Sequence, residues 1–153
     1  MSTPEQRLED LGITLPPALA PLAAYVPAVR TGDLLFLSGQ VPLVEGKLLA
    51  AGRLGVEVGL EEGRAAAQRC AINLLAVLKA ELGELSRVRR VVKVVGFVAS
   101  DPSFTDQPRV VNAASELFAE VFGDRGSHAR SAVGLAVLPL GAPVEVEAIV
   151  EVE

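Results

Sequence analysis

The amino-acid sequence predicts a single α+β domain in which one sheet carries two helices on one face. Two stretches have apolar residues at three- and four-residue steps, which is typical of amphipathic helices. Runs rich in β-branched residues lie on both sides of each helix and predict strands. The length of 153 residues suits one hydrophobic core. The predicted order is β-β-α-β-α-β-β, an arrangement in which helices pack on one side of a sheet.

The N-terminal part is predicted to be a short helix followed by an irregular segment. Pro4-Glu5 after Ser2 or Thr3 is a helix-start signal, and Gly12 ends the helix. Four prolines between residues 15 and 27 favour neither a regular helix nor an inner strand, so this segment should follow the surface. We therefore expect an N-terminal extension over residues 1–24 and a core over residues 25–153, within one domain.

The remaining elements follow from periodicity and from turn residues. Two short strands should flank the turn Thr31-Gly32-Asp33, and residues 46–59 should form a loop with at most one weak strand. Gly83 and Gly123 are expected just past the ends of the two helices. The predicted ranges are strand 34–38, helix 60–82, strand 88–98, helix 104–122, strand 130–138 and strand 144–152.

Composition and charge exclude several functional classes. Half of the residues are hydrophobic and 22% are charged, which indicates a folded chain. The net charge of −5 opposes a nucleic-acid backbone, so we expect no nucleic-acid partner. The basic run from Arg87 to Arg90 lacks interleaved aromatic residues, and we interpret it as the solvated start of a strand.

Cysteine usage and hydropathy bear on the cellular compartment. Cys70 is the sole cysteine and lies in a helical pattern, so it is predicted to be a buried hydrophobe. No group of Cys and His residues has metal-ligand spacing, so no metal site is expected. The first twelve residues are polar and acidic, and no apolar stretch approaches the ~20 residues of a membrane span. We expect a cytoplasmic protein without membrane association.

Several residues are candidates for chemistry, each with an ordinary alternative. Strict alternation in the last strand puts Glu145, Glu147 and Glu151 on one face, which by itself is most typical of a solvated sheet face. Arg130 is flanked by small residues that leave room for a bidentate contact with a carboxylate, although a surface arginine is the simpler interpretation.

Three further polar residues are equally ambiguous from their type alone. The Tyr25 ring can simply pack, and the Asn112 amide can simply face water. His128 follows Gly126-Ser127 and is predicted to be a solvated loop residue, in preference to a general base.

Taken together, these segments resemble the reactive-intermediate deaminase family, also called Rid or YjgF-like. The resemblance runs in order from about Tyr25 to the C-terminus. It is carried by Tyr25-Val, Leu37-Ser-Gly-Gln-Val-Pro42, Asn73-Leu, Val92-Lys-Val-Val-Gly-Phe-Val98, Val111-Asn-Ala, Ala129-Arg-Ser-Ala-Val133, Leu138-Pro139 and Val144-Glu-Val-Glu-Ala-Ile149. It implies a chorismate-mutase-like subunit of a homotrimer with clefts between its subunits.

The resemblance also implies an activity and a set of site residues. Deaminating members hydrolyse 2-enamines and 2-imines of carboxylates to 2-oxo acids and ammonia without a cofactor. By position, Arg130 would bind the carboxylate of a small metabolite, and Glu145 would orient or activate the attacking water. The residues that would line the cleft are Tyr25, Ser38, Gly39 and Asn112.

Some positions depart from the deaminating members that the chain most resembles. Ala132 occupies a position where some of them have cysteine, His128 one where proline is common, and Gly134 one where a larger residue is found. The connection between Pro42 and the first long helix is also longer. Because added loops reshape clefts, substrate choice is the property most affected.

The pairing of the last two strands determines how far apart Arg130 and Glu145 lie in one chain. If the last two strands form an antiparallel hairpin, Arg130 and Glu145 lie about 20 Å apart, at ~3.3 Å per residue. We therefore expect them to meet across a subunit interface.

Two other functions stay open: a non-catalytic or regulatory trimer that binds a carboxylate metabolite, and an endoribonuclease, which the acidic charge and the single histidine disfavour.

Overall fold

The N-terminal helix is fixed by its own capping residues and by one buried leucine. The computed structural model describes residues 2–18 and 24–153. Helix α1 spans Pro4–Asp10, and the Thr3 side chain accepts a hydrogen bond from the Gln6 amide while the Gln6 side chain accepts one from the Thr3 amide. Such reciprocal caps satisfy two amides that the helix leaves unpaired. Leu8 projects into the main core and is 3% exposed.

The irregular segment after α1 is described only in part. Residues 13–18 have no regular secondary structure, as the prolines predict. The remainder of the predicted surface segment includes residues 19–23, which lie outside the described residues.

The helices and strands of the core largely match the predicted ranges. Helix α2 is Leu60–Leu82, followed by Gly83 at φ 80°, as expected. Helix α3, Gln107–Phe122, begins three residues later than predicted, because a separate turn closes from the Phe104 amide to the Asp101 carbonyl before it. The strands are β1 Ala28–Thr31, β2 Leu34–Gln40, β3 Leu43–Val44, β4 Lys47–Leu48, β5 Val88–Ala99, β6 Ala129–Leu135 and β7 Val144–Val152, and α3 is Gln107–Phe122.

The strand order corrects one prediction. The main sheet has the order β1-β2-β7-β5-β6, so the last two strands do not pair with each other. Strand β6 pairs in parallel with β5, and β7 pairs antiparallel with β5 from the other side. The expected hairpin is wrong because α3 carries the chain across the sheet and returns it parallel to β5, as a crossover helix does. Strand β6 also ends at Leu135 and not at residue 138.

A second, two-stranded sheet joins residues before the predicted loop to its first residues, and β4 is the one weak strand that the sequence allowed between residues 46 and 59. Strands β3 and β4 pair antiparallel around a tight turn at Glu45 and Gly46, both with positive φ. Asn73 on α2 donates from its side-chain amide to the carbonyls of Val41 and Leu43, each at 3.1 Å. These bonds attach the connection after β2 to the long helix.

The helices cover only one face of the main sheet. On β7 the valines at 144, 146, 150 and 152 and Ala148 are buried under the helices, while Glu145, Glu147, Ile149 and Glu151 are half-buried on the other face. Phe36 on β2 and Val133 on β6 lie on that same open face and are 41% and 44% exposed. This confirms the predicted α+β class with helices on one face. No helix within residues 2–18 and 24–153 is long and apolar enough to cross a membrane.

We predict that α1 contributes to the stability of the whole domain. Replacing Leu8 by Ala should lower the free energy of unfolding by about 2–5 kcal/mol, because it leaves a cavity in the core. Leu11→Ala is the matched control: Leu11 is 41% exposed, and its replacement should change stability by no more than about 0.5 kcal/mol. Urea denaturation measures both. Equal midpoints for the two variants would contradict an integral role for α1.

Candidate functional site

Arg130 lies on the helix-facing side of β6, opposite the first turns of α3. In the parallel pairing it is aligned with Val94 of β5, a residue buried under the helices. Its Nη1 donates to Asn112 Oδ1 at 2.8 Å and to Ser115 Oγ at 3.2 Å, and its Nη2 donates to the Pro108 carbonyl at 3.4 Å. The structure therefore brings two predicted residues, Arg130 and Asn112, into direct contact.

The partners of the Arg130 guanidinium are all neutral. Within the described part of the chain, no Asp or Glu oxygen lies within 4.0 Å of its nitrogens, whereas five other cationic side chains form such pairs. The three contacts orient the planar group without cancelling its charge. A fixed and unneutralised guanidinium is well suited to bind an anion in two parallel hydrogen bonds.

Ser115 was not predicted as a site residue. It lies three positions after Asn112 on α3, so the two side chains share one face of the helix. That spacing is the signal in the sequence that relates Ser115 to Arg130.

His128 is not the solvated loop residue that the sequence predicts. It is half-buried, its Nδ1 lies 2.6 Å from the Gly126 carbonyl, and its Nε2 lies 2.8 Å from Ser115 Oγ. Its ring makes a T-shaped contact with the Phe118 ring, with centroids 6.1 Å apart. The reason is the short helical turn over residues 123–126, which folds the chain back onto α3 before β6 begins.

Glu145 lies on the open face of the sheet, next to the end of β2. A register shift between Leu37 and Gln40 brings Gly39 over the Glu145 side chain. A Cβ atom at Gly39 would lie 2.9 Å from Glu145 Cδ, so a larger residue there would displace the carboxylate. Partial burial, and to a lesser extent the neighbouring Glu147, raise the pKa of Glu145 above its ordinary value.

Ser38 and Tyr25 are placed by the same strand end. The Ser38 hydroxyl donates to the Val26 carbonyl at 2.7 Å, and its amide donates to the Pro27 carbonyl at 2.9 Å. These bonds hold the segment that carries Tyr25, whose side chain is 47% exposed, against β2. Ser38 also lines an open cavity of about 390 Å³ on the uncovered sheet face, together with Phe36, Lys93 and Glu147.

The site residues form two groups on opposite faces of the sheet. Arg130 and Asn112 lie on the helix side, and Glu145, Ser38 and Gly39 lie at or beside the open face. Glu145 is aligned with Phe97 and Arg130 with Val94, which separates them by about 10 Å along β5 and by two strand spacings of about 5 Å each. The predicted separation of about 20 Å rested on a β6–β7 hairpin that does not form. The actual pairing nevertheless keeps Arg130 and Glu145 apart within one chain.

The described acidic, histidine and cysteine side chains do not cluster as metal ligands. Over residues 2–18 and 24–153, no group of three or more of them has a geometry that would hold a metal ion.

Cys70 is fully buried and its thiol lies 3.6 Å from the Val144 carbonyl, which confirms its predicted place in the core.

Comparison with known proteins identifies the family. A family model described as "YjgF/chorismate mutase-like, putative endoribonuclease" matches residues 5–152. The chain belongs to this family. The match includes all of α1 except Pro4, as well as the main sheet, and it confirms the resemblance found in the sequence motifs.

Similar YjgF-family proteins carry different names. Protein TCP17 of Trypanosoma cruzi is 50% identical over 145 residues, which is 94% of this chain and 91% of that protein. A 2-iminobutanoate/2-iminopropanoate deaminase of Dermatophagoides farinae is 34% identical over 92% of this chain and 95% of its own length. A solved structure from Shewanella oneidensis, named a putative endoribonuclease, is 36% identical with a TM-score of 0.96, and the match covers 99% of this chain and all of that one.

We predict that Glu145 lowers the stability of the fold at neutral pH. Because its pKa is raised in the folded state, stability is highest below about pH 4 as far as this group is concerned, and it falls as the pH rises through the folded pKa. Glu145→Gln should therefore raise the melting temperature at pH 7 by at most about 2–4 °C. The difference should shrink towards pH 4.

Glu151→Gln is the control for that measurement, because Glu151 lies on the same face of β7 as Glu145 but near the far end of the strand. Differential scanning calorimetry from pH 4 to pH 8 compares the three proteins. A Glu145→Gln protein that melts below the wild type at pH 7 would contradict the raised pKa.

Proposed function

We propose that this protein hydrolyses 2-enamine and 2-imine carboxylates to 2-oxo acids and ammonia, in a cleft between the subunits of a homotrimer. The observation that carries the proposal is the Arg130 guanidinium, which neutral oxygens hold in place while no acidic side chain of the described residues neutralises it. The similarity to a protein named as a 2-iminobutanoate/2-iminopropanoate deaminase supports it from the side of sequence.

The hydrogen-bond donors of Arg130 support a role in binding the substrate carboxylate. Its contacts within the chain go through Nη1 and through one bond from Nη2, and the Nε–H has no acceptor among the described residues. In a planar guanidinium the Nε–H and the adjacent Nη2–H point in parallel, and their spacing matches the two oxygens of a carboxylate. Asn112 then acts by holding the other side of the group.

The environment of Glu145 supports a role in proton transfer. A carboxylate accepts a proton from water more readily as its pKa approaches the working pH, and here partial burial and Glu147 raise the pKa of Glu145. Because Gly39 has no side chain, it does not cover the Glu145 carboxylate. A water held on Glu145 would therefore have both an orienting group and a proton acceptor.

The chemistry needs no more than these groups. The oxygen of the bound water forms a bond to C2 of the imine, the C=N π electrons move to nitrogen, and Glu145 takes one proton from the water. Glu145 returns that proton to the nitrogen, which gives the carbinolamine. Glu145 then takes the proton of the C2 hydroxyl and passes it to the same nitrogen, the C–N bond breaks to release ammonia, and the C2 oxygen becomes the carbonyl of the 2-oxo acid. Because the imine carbon is already electrophilic, positioning of the water supplies much of the rate acceleration.

The position of the two groups on opposite faces supports a site shared between subunits. A small substrate cannot contact Arg130 and Glu145 through the sheet of one chain. The open face also exposes Val29, Phe36 and Val133, an apolar surface that a second copy would bury. Closed cyclic assembly covers such a surface on every copy.

We predict that Arg130→Ala abolishes most turnover of an enzymatically generated 2-iminobutanoate. Loss of the carboxylate contact should lower kcat/KM by at least about 100-fold, which corresponds to ~2.7 kcal/mol. Arg89→Ala is the matched control: Arg89 is an exposed arginine whose nearest acid lies 4.0 Å away, and its replacement should leave kcat/KM within twofold. Release of ammonia and of the 2-oxo acid measures the rate.

Two results of that assay would contradict the deaminase proposal. Equal rates for wild type and Arg130→Ala would remove Arg130 from the mechanism. If 2-oxobutanoate raises the melting temperature of the wild type while no imine is turned over, the protein is a carboxylate-binding trimer and not an enzyme.

We predict that two inactive variants complement each other. Arg130→Ala and Glu145→Ala subunits, unfolded and reassembled together at equal amounts, should recover about a quarter of wild-type activity. An intact site needs Arg130 from one chain and Glu145 from its neighbour, and each is present with a chance of one half in random assembly. Each variant reassembled alone should stay inactive. Verified mixed trimers without activity would show that the two residues act within one chain.

A further inference from the structure

Ser115 and His128 form a hydrogen-bonded pair directly behind Arg130. His128 Nε2 lies 2.8 Å from Ser115 Oγ, and the same oxygen accepts from Arg130 Nη1 at 3.2 Å. The T-shaped contact between the Phe118 ring and the imidazole helps to hold the imidazole in place. The pair thus connects the turn before β6, helix α3 and the guanidinium.

The direction of each hydrogen bond in this pair follows from the Gly126 carbonyl. A carbonyl oxygen can only accept, so the His128 nitrogen 2.6 Å from it, Nδ1, carries a hydrogen. In the neutral imidazole Nε2 is then an acceptor, and the Ser115 hydroxyl donates its single hydrogen to it. The lone pairs of Ser115 Oγ are left for Arg130.

The consequence for Arg130 is a fixed rotation of the guanidinium about its long axis. Asn112 alone contacts Nη1 through one acceptor, and a single contact permits the plane to turn about that bond. Ser115 adds a second acceptor at Nη1, and the Pro108 carbonyl adds a third at Nη2. Three acceptors around a planar group define its plane, and with it the direction in which the Nε–H and the remaining Nη2–H point.

We infer that Ser115 and His128 are positioning residues for Arg130, which set the orientation of the guanidinium edge that receives the substrate carboxylate. The inference rests on the proposed function of Arg130 but assigns a separate role to two residues outside the predicted site. Neither residue touches the reacting atoms in this role, so they act on substrate binding and not on the proton transfer at Glu145. His128 acts only through the orientation of the Ser115 hydroxyl.

Steady-state kinetics with 2-iminobutanoate test this order of action. Ser115→Ala should raise KM about fivefold or more and leave kcat within about twofold, whereas Ser115→Thr, which keeps the hydroxyl, should restore KM. His128→Asn keeps a donor for the Gly126 carbonyl but is too short to reach Ser115, and it should raise KM by a smaller factor. In the double variant, His128→Asn should add nothing to the effect of Ser115→Ala. Independent, multiplicative effects would overturn the coupling.

Arginine side-chain NMR tests the positioning role without any turnover. The Arg130 Nη signals, assigned with an Arg130→Lys protein, should show restricted rotation in the wild type and averaging in Ser115→Ala. Unchanged signals in Ser115→Ala would overturn the inference whether or not the protein is a deaminase. Absence of turnover by the wild type, with averaged signals in Ser115→Ala, would instead overturn the proposed function and leave the positioning role in place.

Discussion

The antiparallel pairing of β7 with β5 determines where each candidate residue lies. Its register runs from Val88 opposite Val152 to Val98 opposite Val144, and it puts β7 near the centre of the sheet. Since β7 is buried on one face by α2, its valines must point to the helices and its glutamates away from them. A shift of one residue would bury three carboxylates in the core, which is far too costly for the register to slip.

This pairing also separates the two halves of the candidate site. Strand β2 pairs with the other edge of β7, and its register shift carries Gly39 to Glu145. Strand β6 is displaced to the far side of β5, where Arg130 meets α3. The same interaction that stabilises the centre of the sheet therefore leaves a cation on one face and an acidic pair on the other.

Local patterns in the sequence predicted the bounds of the helices and strands well, but not which strands pair with each other in the sheet. The bounds of α2 and β7 and the role of Gly83 follow from periodicity and capping, which depend on residues close in sequence. The pairing of β6 does not follow from such local patterns. An antiparallel hairpin with β7 and a parallel crossover beside β5 would both bury the face of β6 that carries Arg130 and Ala132. Alternation fixes which face a strand buries but carries no information on the strand beside it.

The candidate site shows the same division. Motif positions placed Arg130 and Asn112 at one cleft but did not predict the hydrogen bond between them, and Ser115 is recoverable from its three-residue spacing on α3. The environment of His128 was not predictable, because it depends on how the turn at residues 123–126 folds back on Phe118, a long-range packing property of a glycine-flanked loop. His128, which the sequence predicted to be solvated, thus helps to hold Arg130 through Ser115.

The choice of neutral partners around Arg130 has a functional consequence. A carboxylate in place of Asn112 or Ser115 would hold the guanidinium equally well, but it would compete with an anionic ligand for the same charge. Amide, hydroxyl and carbonyl oxygens orient the group and leave its charge for the ligand. On the open face the opposite condition holds, because partial burial, and to a lesser extent the neighbouring Glu147, raise the pKa of Glu145 and so make it a better proton acceptor. A substrate that carries a carboxylate at one end and an electrophilic carbon beside it satisfies both conditions, provided that a second subunit brings the two faces together.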